Sequence, residues 1–388
     1  MSDPSPDLAS PASIHRRPPA SARQRARAAT MALFFVAGMM YASWGVHVPT
    51  VRDKFALSPA LLSFALLAAA IGSIVAMTTN ARWIARVGSR AACLTGGLAM
   101  SACGALILVV PSYPLLLAVL VLFGFSMATL DVAMNAEASA VESAFDKPIM
   151  SMLHGMFSIG GMAGAAAGGA LLSAGMASAV HLALAALASA LVLVVACPAV
   201  LPHVPHADAD AHGGPHANRW RSTPLWALGA IALIALIAEG AMYDWATVYM
   251  RDVVSASPAF SSAAYAAFSG GMAAARFAGD AVRACVGMIG ALALPYPLVA
   301  LAGFTLMGLG LANMMPVLFA AAARVEGIHA AEGLAHVAGL AYFGLLFGPV
   351  VIGAVAQAAN LSVGLSIVAL CAALVAIVAP KVLSRLKI

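Results

Sequence analysis

The sequence predicts an all-α integral membrane protein: two parallel six-helix repeats, twelve transmembrane helices in all, the ninth abnormally short. Three observations carry that prediction: the apolar runs, the placement of positive charge, and an internal repeat. Of the 388 residues, 63% are hydrophobic and 9% charged, so water is not the solvent for most of the chain. Crossing about 30 Å of hydrocarbon takes a helix of about 20 apolar residues or a closed barrel, because the backbone must satisfy its own hydrogen bonds there. The runs are long and do not alternate, which selects helices.

Residues 1–28 are rich in Pro, Ser, Ala and Arg, with Arg16, Arg17, Arg23, Arg25 and Arg27 ahead of the first span. This composition predicts a disordered basic cytoplasmic tail. Pro18 and Pro19 follow the arginine pair and the next apolar run is of full length, so no cleavage is expected. Spans are then predicted over 29–49, 60–80, 91–110, 114–136, 149–174, 178–199, 224–249, 259–283, 285–295, 297–322, 333–358 and 361–380. They divide into an N-terminal bundle (29–199), a cytoplasmic linker (200–222) and a C-terminal bundle (223–388). Turn residues separate them, among them Pro111, Pro114, Pro148, Pro258, Pro295 and Asn360.

With the amino terminus inside and every run crossing, the outer side keeps only Arg52, Lys54 and Arg251, so seventeen of the 20 Lys and Arg residues are cytoplasmic. That is the bias a stable topology requires, and it explains the net charge of +5 without nucleic acid. If the short run did not cross, Arg324, Lys381, Arg385 and Lys387 would all move outside. The charges therefore favour twelve crossings, with both termini cytoplasmic in a bacterial inner membrane.

The chain repeats itself. Arg52, Asp53, Ser58, Pro59, Ala60, Ser63 and Gly72 recur as Arg251, Asp252, Ser257, Pro258, Ala259, Ser262 and Gly271, a shift of 199. Gly124, Ala128, Gly160 and Gly164 recur as Gly308, Ala312, Gly344 and Gly348, a shift of 184. Six helices per copy give both copies one orientation. The second copy thus lacks 15 or 16 residues between its second and fourth helices. The run that remains, 285–295, spans about 16 Å at 1.5 Å per residue.

Two parallel six-helix halves joined by a polar linker resemble the major facilitator superfamily. The segment ARWIARVGSR (81–90) is similar to that superfamily's signature G-x-L-x-D-R-x-G-R-R, matching at Arg86, Gly88 and Arg90, with Ala85 where Asp is usual. LDVAMNAEASAVE (130–142), PIMSMLHGMFSIGGMAGA (148–165), AEGAMYDWATVYMRD (238–252) and GLGLANMMPVLF (308–319) resemble the group of the rhizopine-catabolism membrane protein and YbjJ-type inner-membrane proteins. The resemblance implies a secondary transporter of a sugar- or polyol-like solute, with Arg86, Gly88 and Arg90 in a cytoplasmic gate. Leu120 stands where drug–proton antiporters of the superfamily usually carry an arginine, which argues against the alternative of an efflux antiporter.

Ionisable groups inside hydrocarbon are expensive and need a role or a partner. Glu239 sits deep in the seventh span and is the first candidate for proton coupling, with Asp131 and Asp244. Asp131, Asn135 and Glu142 share one helical stripe, at relative angles of about 0, 40 and 20 degrees, and Glu142 joins the gate candidates. Trp44, His47, Asn135, Glu137, Tyr243, Trp245, Asn313 and Tyr342 are the substrate-binding candidates, aromatic and hydrogen-bonding groups suited to a polar organic solute. Each has a plainer role open to it as an interfacial anchor or helix bridge.

No cofactor is expected. The five cysteines stand singly and read as packing residues. The linker histidines His203, His206, His212 and His216 lack a rigid frame, so no metal site is expected. No P-loop, zincin motif or nucleophile elbow occurs, so the chain reads as a carrier and not an enzyme. The expected partners are the small-molecule solute, protons and the bilayer, with no nucleic acid, and the expected state is a monomer. The competing reading is a non-transporting, decayed carrier or binding scaffold, suggested by the shortened ninth helix.

Overall fold

The computed structural model describes residues 19–145, 149–201, 219–275, 281–328 and 330–386. Its helices are α1 (Ala20–Lys54), α2 (Pro59–Leu106), α3 (Tyr113–Phe145), α4 (Met150–Ser173), α5 (Ser178–Ala196), α6 (Thr223–Asp252), α7 (Pro258–Ala275), α8 (Ala281–Ala293), α9 (Pro297–Leu311), α10 (Met314–Ala322), α11 (Ala330–Ala358) and α12 (Leu361–Arg385). Helix α2 makes two passes joined at Gly88, whose φ of 85° and ψ of 158° suit a residue without a Cβ. Helices α9 and α10 make one pass, broken at Ala312 and Asn313. The result is twelve passes. Among the described residues, nine are long and apolar enough to cross a membrane by length and composition; the second limb of α2, α7 and α8 complete the set.

Caps fix several starts. Ser58 accepts from the Leu61 N–H ahead of α2, Ser222 from Leu225 ahead of α6, and Asn360 from Val363 ahead of α12. The first two are followed by proline within the first turn, where a missing N–H does no harm.

The halves are built alike. In the first, Gly160 of α4 faces the Phe35 carbonyl of α1 so closely that a Cβ would overlap it; in the second, Gly344 of α11 meets the Leu233 carbonyl of α6 in the same way. Gly72 of α2 meets the Val121 carbonyl of α3, and Gly271 of α7 meets the Thr305 carbonyl of α9. These four helix pairs run parallel, and each contact repeats at the spacing of 199 or 184 seen in the sequence, to within one residue. Small residues allow this backbone-to-backbone approach, which packs helices where lipid removes the hydrophobic drive. The start of α1 and the end of α12 lie on one face, called here the terminal face; the opposite one is the distal face.

Three expectations need correction. Residues 20–28, read as part of a disordered tail, form the first turns of α1. Their alanines favour helix, and Arg23 anchors them by donating to the Ala144 carbonyl at 2.9 Å while its guanidinium lies over Phe145. Residues 1–18 and the linker histidines His203, His206, His212 and His216 lie outside the described residues. The ninth helix starts four residues earlier than the run 285–295 and ends two earlier, at Ala293. Its 13 residues span about 20 Å, still short of the hydrocarbon thickness. The basic segment 81–90, left outside the predicted spans 60–80 and 91–110, is helical with its one break at Gly88.

Helix α8 nevertheless packs as a pass should. Gly287 meets the Gly303 carbonyl and Met307, and Ala291 meets Gly303, so α8 runs antiparallel to α9. The Tyr249 hydroxyl donates to the Ala291 carbonyl at 2.8 Å. Met288 and Ala291 are buried while Val286 and Ile289 face outward. At the repeat offset of 184, residues 281–293 match 97–109, so the missing piece is the terminal-face portion of the helix.

Gly160→Leu is expected to destabilise the protein by about 1–3 kcal/mol through overpacking against Phe35, read as a lower unfolding temperature in detergent. Gly155→Leu, where nothing lies within 4 Å, should leave that temperature unchanged.

Candidate functional site

The halves meet at the distal face. There Arg52 of α1 forms a two-pronged ion pair with Asp252 of α6, one prong at 2.9 Å, and Arg251 of α6 pairs with Asp53 of α1 at 2.5 Å. Each half thus contributes one Arg-Asp dipeptide, and the two exchange partners. Beneath the charges Gly169 of α4 packs on Ser262 of α7, and Gly353 of α11 on Ser63 of α2, again twins at shifts of 184 and 199. The Thr247 hydroxyl donates to the Gly45 carbonyl at 3.1 Å, tying α6 to α1.

Toward the terminal face the halves part around a cavity of about 350 Å³. It reaches His154, in the first turns of α4, and Phe319, near the end of α10. Asp131 and Ser73 line it from the first half, and Glu239, Tyr243 and Tyr342 from the second. Glu239 lies 16 residues past Thr223, about 24 Å along α6. A smaller chamber on the distal side shares Tyr41 and Ser73 with the cavity and is lined by Trp44 and Asp244. Tyr41 of α1 lies within electrostatic reach of both Glu239 and Asp244, and its ring meets that of Tyr243 edge-on at 5.7 Å.

Of the sequence-derived candidates, Asp131, Glu239, Tyr243 and Tyr342 meet in the cavity, with Trp44 and Asp244 in the chamber behind. Asn135 supports Asp131, its Nδ2 donating to the carboxylate at 3.1 Å. Others are placed elsewhere. His47 is buried 2.8 Å from His181 of α5, and Trp245 is buried in α6. Asn313 donates to the Ala275 carbonyl at 2.8 Å, bridging the break between α9 and α10 to α7.

Glu137 accepts from the Ser89 hydroxyl at 3.1 Å and the Leu201 N–H at 2.8 Å. Arg90 donates to the Val200 carbonyl at 2.6 Å. Glu142 accepts from the N–H groups of Ile149 and Met150, at 2.7 and 2.9 Å, and so caps α4. Arg86 is exposed at the terminal face. The bonds of Arg90, Glu137 and Glu142 stitch the terminal end of the first half to itself.

Sequence reasoning missed Tyr41, Ser73, His181 and five cavity methionines, Met77, Met127, Met134, Met272 and Met315. Tyr41 stands one helical turn before Trp44, and that spacing was the available signal.

Two six-pass halves, closed against each other at one face and parted around a central cavity at the other, are the architecture of a polytopic membrane carrier. The chain belongs to the major facilitator superfamily, whose family model matches residues 30–284. It is 32% identical over 357 residues to an uncharacterized MFS-type transporter of Yersinia pestis, covering 88% of this chain and 91% of that one. It is 29% identical over 346 residues to the membrane protein MosC of Rhizobium meliloti, covering 84% and 83%. Among solved structures, an inward-facing, unoccupied bacterial homolog of the human lysosomal transporter Spinster superposes with a TM-score of 0.68 at 13% identity, over 95% of this chain and 98% of that one. The nucleoside transporter NupG (D323A mutant) superposes at 0.64 and 12% identity, over 92% and 99%. The protein is a multi-pass secondary transporter and not an enzyme.

Exposed ion pairs are each worth about 0.2–1 kcal/mol, so breaking one should shift the balance of conformations up to about fivefold. Arg52→Asp is expected to lengthen the distance between spin labels at Ser112 and Tyr296 of the distal turns, and Arg52→Asp with Asp252→Arg to restore it.

Proposed function

We propose that this carrier moves a small polar organic solute across a bacterial cytoplasmic membrane by alternating access, with both termini cytoplasmic, and that protons drive it through Glu239. The observation that carries this reading is a carboxylate on the second half, about 24 Å along its helix, in the wall of a cavity lined by both halves. A protonated carboxyl crosses hydrocarbon at far lower cost than a carboxylate. A site that rocks from one face to the other can therefore take a proton on one side and release it on the other. Asp244 lies five residues further along the same helix, in the distal chamber, and Asp131 faces the cavity from the first half.

The conformation supports the distal face as the closed, outer side, and Arg52, Asp53, Arg251 and Asp252 as the outer latch. The gate ascribed to Arg86, Gly88, Arg90 and Glu142 would engage in the opposite conformation, where the terminal face closes. Tyr41, Tyr243, Tyr342, Ser73 and Ser158 place a few polar groups among the apolar side chains of the cavity wall. Packed as it is on α9 and tied to Tyr249, α8 favours a working carrier over a decayed one.

The test is transport in proteoliposomes holding the purified full chain, with a panel of sugars, polyols, nucleosides and amines under an inward proton gradient. The wild type is expected to concentrate at least one of them and to lose at least about tenfold of that accumulation when the gradient is collapsed; Glu239→Gln should retain exchange but not gradient-driven accumulation. Accumulation by Glu239→Gln equal to the wild type at every pH would overturn the role given to Glu239.

A further inference from the structure

The wall of the cavity is unusual for a carrier of neutral polyols. Among the described residues its acids are Asp131 and Glu239, its one nitrogen base is His154, and no lysine or arginine lines it. Among the described residues the Asp131 side chain takes one side-chain hydrogen bond, from Asn135 on its own helix at 3.1 Å. Among the described residues no cation lines the cavity beside this half-buried carboxylate, and charges withdrawn from water are ordinarily paired. The remaining wall is chiefly apolar, with five methionine side chains and the rings of Phe157 and Phe319. Thioethers and rings accept few hydrogen bonds, so each hydroxyl of a polyol lying against them would lose its water without a replacement. They suit a compact apolar body of variable shape, as methionine adapts to whatever it packs on.

We infer that the solute is an organic amine with a compact aliphatic or aromatic body, its ammonium seated on Asp131 and its body against the methionines and phenylalanines. The Tyr342 hydroxyl, within electrostatic reach of Asp131, is placed to orient the ammonium. This assignment rests on the reading of the cavity as the solute site. It gives the two carboxylates separate cargoes, the cation on Asp131 of the first half and the proton on Glu239 of the second. Among the described residues the other ionisable groups lining the cavity are Tyr41 of α1, His154 of α4, Glu239 and Tyr243 of α6 and Tyr342 of α11.

Pairs of probes that differ in the amine test it: 2-phenylethylamine against 2-phenylethanol, and cyclohexylamine against cyclohexanol, with myo-inositol and uridine as polyhydroxylated controls. Thermal unfolding of the full chain in detergent reads binding, and proteoliposome uptake reads transport. The amines are expected to raise the unfolding temperature and to be taken up, and each alcohol to bind at least about tenfold more weakly. Asp131→Asn should remove the amine preference and Asp131→Glu should retain it; if Asp131→Asn does not fold, the amine-to-alcohol comparison on the wild type still decides. Stabilisation by inositol or uridine with none by the amines would overturn the amine assignment while leaving proton coupling intact. Amine uptake that is unchanged in Glu239→Gln would overturn the proton coupling and leave the amine assignment standing.

Discussion

Each half depends on parallel helices whose backbones touch at glycine. Phe35 against Gly160, Val121 against Gly72, Leu233 against Gly344 and Thr305 against Gly271 are contacts at which any side chain would collide with a carbonyl. In lipid no hydrophobic force presses helices together, so such close approach is the main source of a bundle's rigidity. Rigid halves are what a rocking carrier requires, since motion at a cavity between them must not be lost as bending within them. The same contacts explain how the second half tolerates the shortened α8. Its parallel pairs, α6 with α11 and α7 with α9, are complete without the missing residues.

Between the halves the contacts are of another kind. Four charges in two exchanged pairs, and two glycine-on-serine contacts, close the distal face. Ion pairs of this exposure are weak and salt-sensitive, so they bias a conformational balance without locking it. A carrier must pass through both states in each cycle, and a latch of modest strength suits that task. The cavity inherits its chemistry from this arrangement: Asp131 belongs to one half, Glu239 to the other, and Tyr41 reaches toward Glu239 and Asp244 from across the divide.

Much of the fold was legible because bilayer and backbone leave few choices. Hydropathy marked the passes, prolines marked the turns, and the shifts of 199 and 184 located both the twin contacts and the missing segment. The cavity was legible only in part. Depth along a helix can be counted, which singled out Glu239 and Asp131. Rotation about a helix is harder to read when the lipid-facing and protein-facing sides are both apolar. Hence Glu137, placed by sequence in a binding role, lies bonded to Ser89 and Leu201, while Tyr41 and the methionines escaped notice. Glu142 was read as one of the gate residues, but seven and eight residues on lie two helix-start N–H groups that it caps. The start of α1 was missed because the guanidinium groups of Arg23 and Arg27 lie over the Phe145 ring, so positive charge there does not mean disorder.

The account stands on all twelve passes being made, α8 included. The most direct measurement is the sidedness of the carboxy terminus in cells, read by a reporter fused after Ile388 that is active on one side of the membrane only. A cytoplasmic reporter is the result expected of two complete six-pass halves. A reporter on the outer side would mean that α8 does not cross and that the passes after it are inverted relative to their twins, contradicting both the repeat and the cavity built upon it.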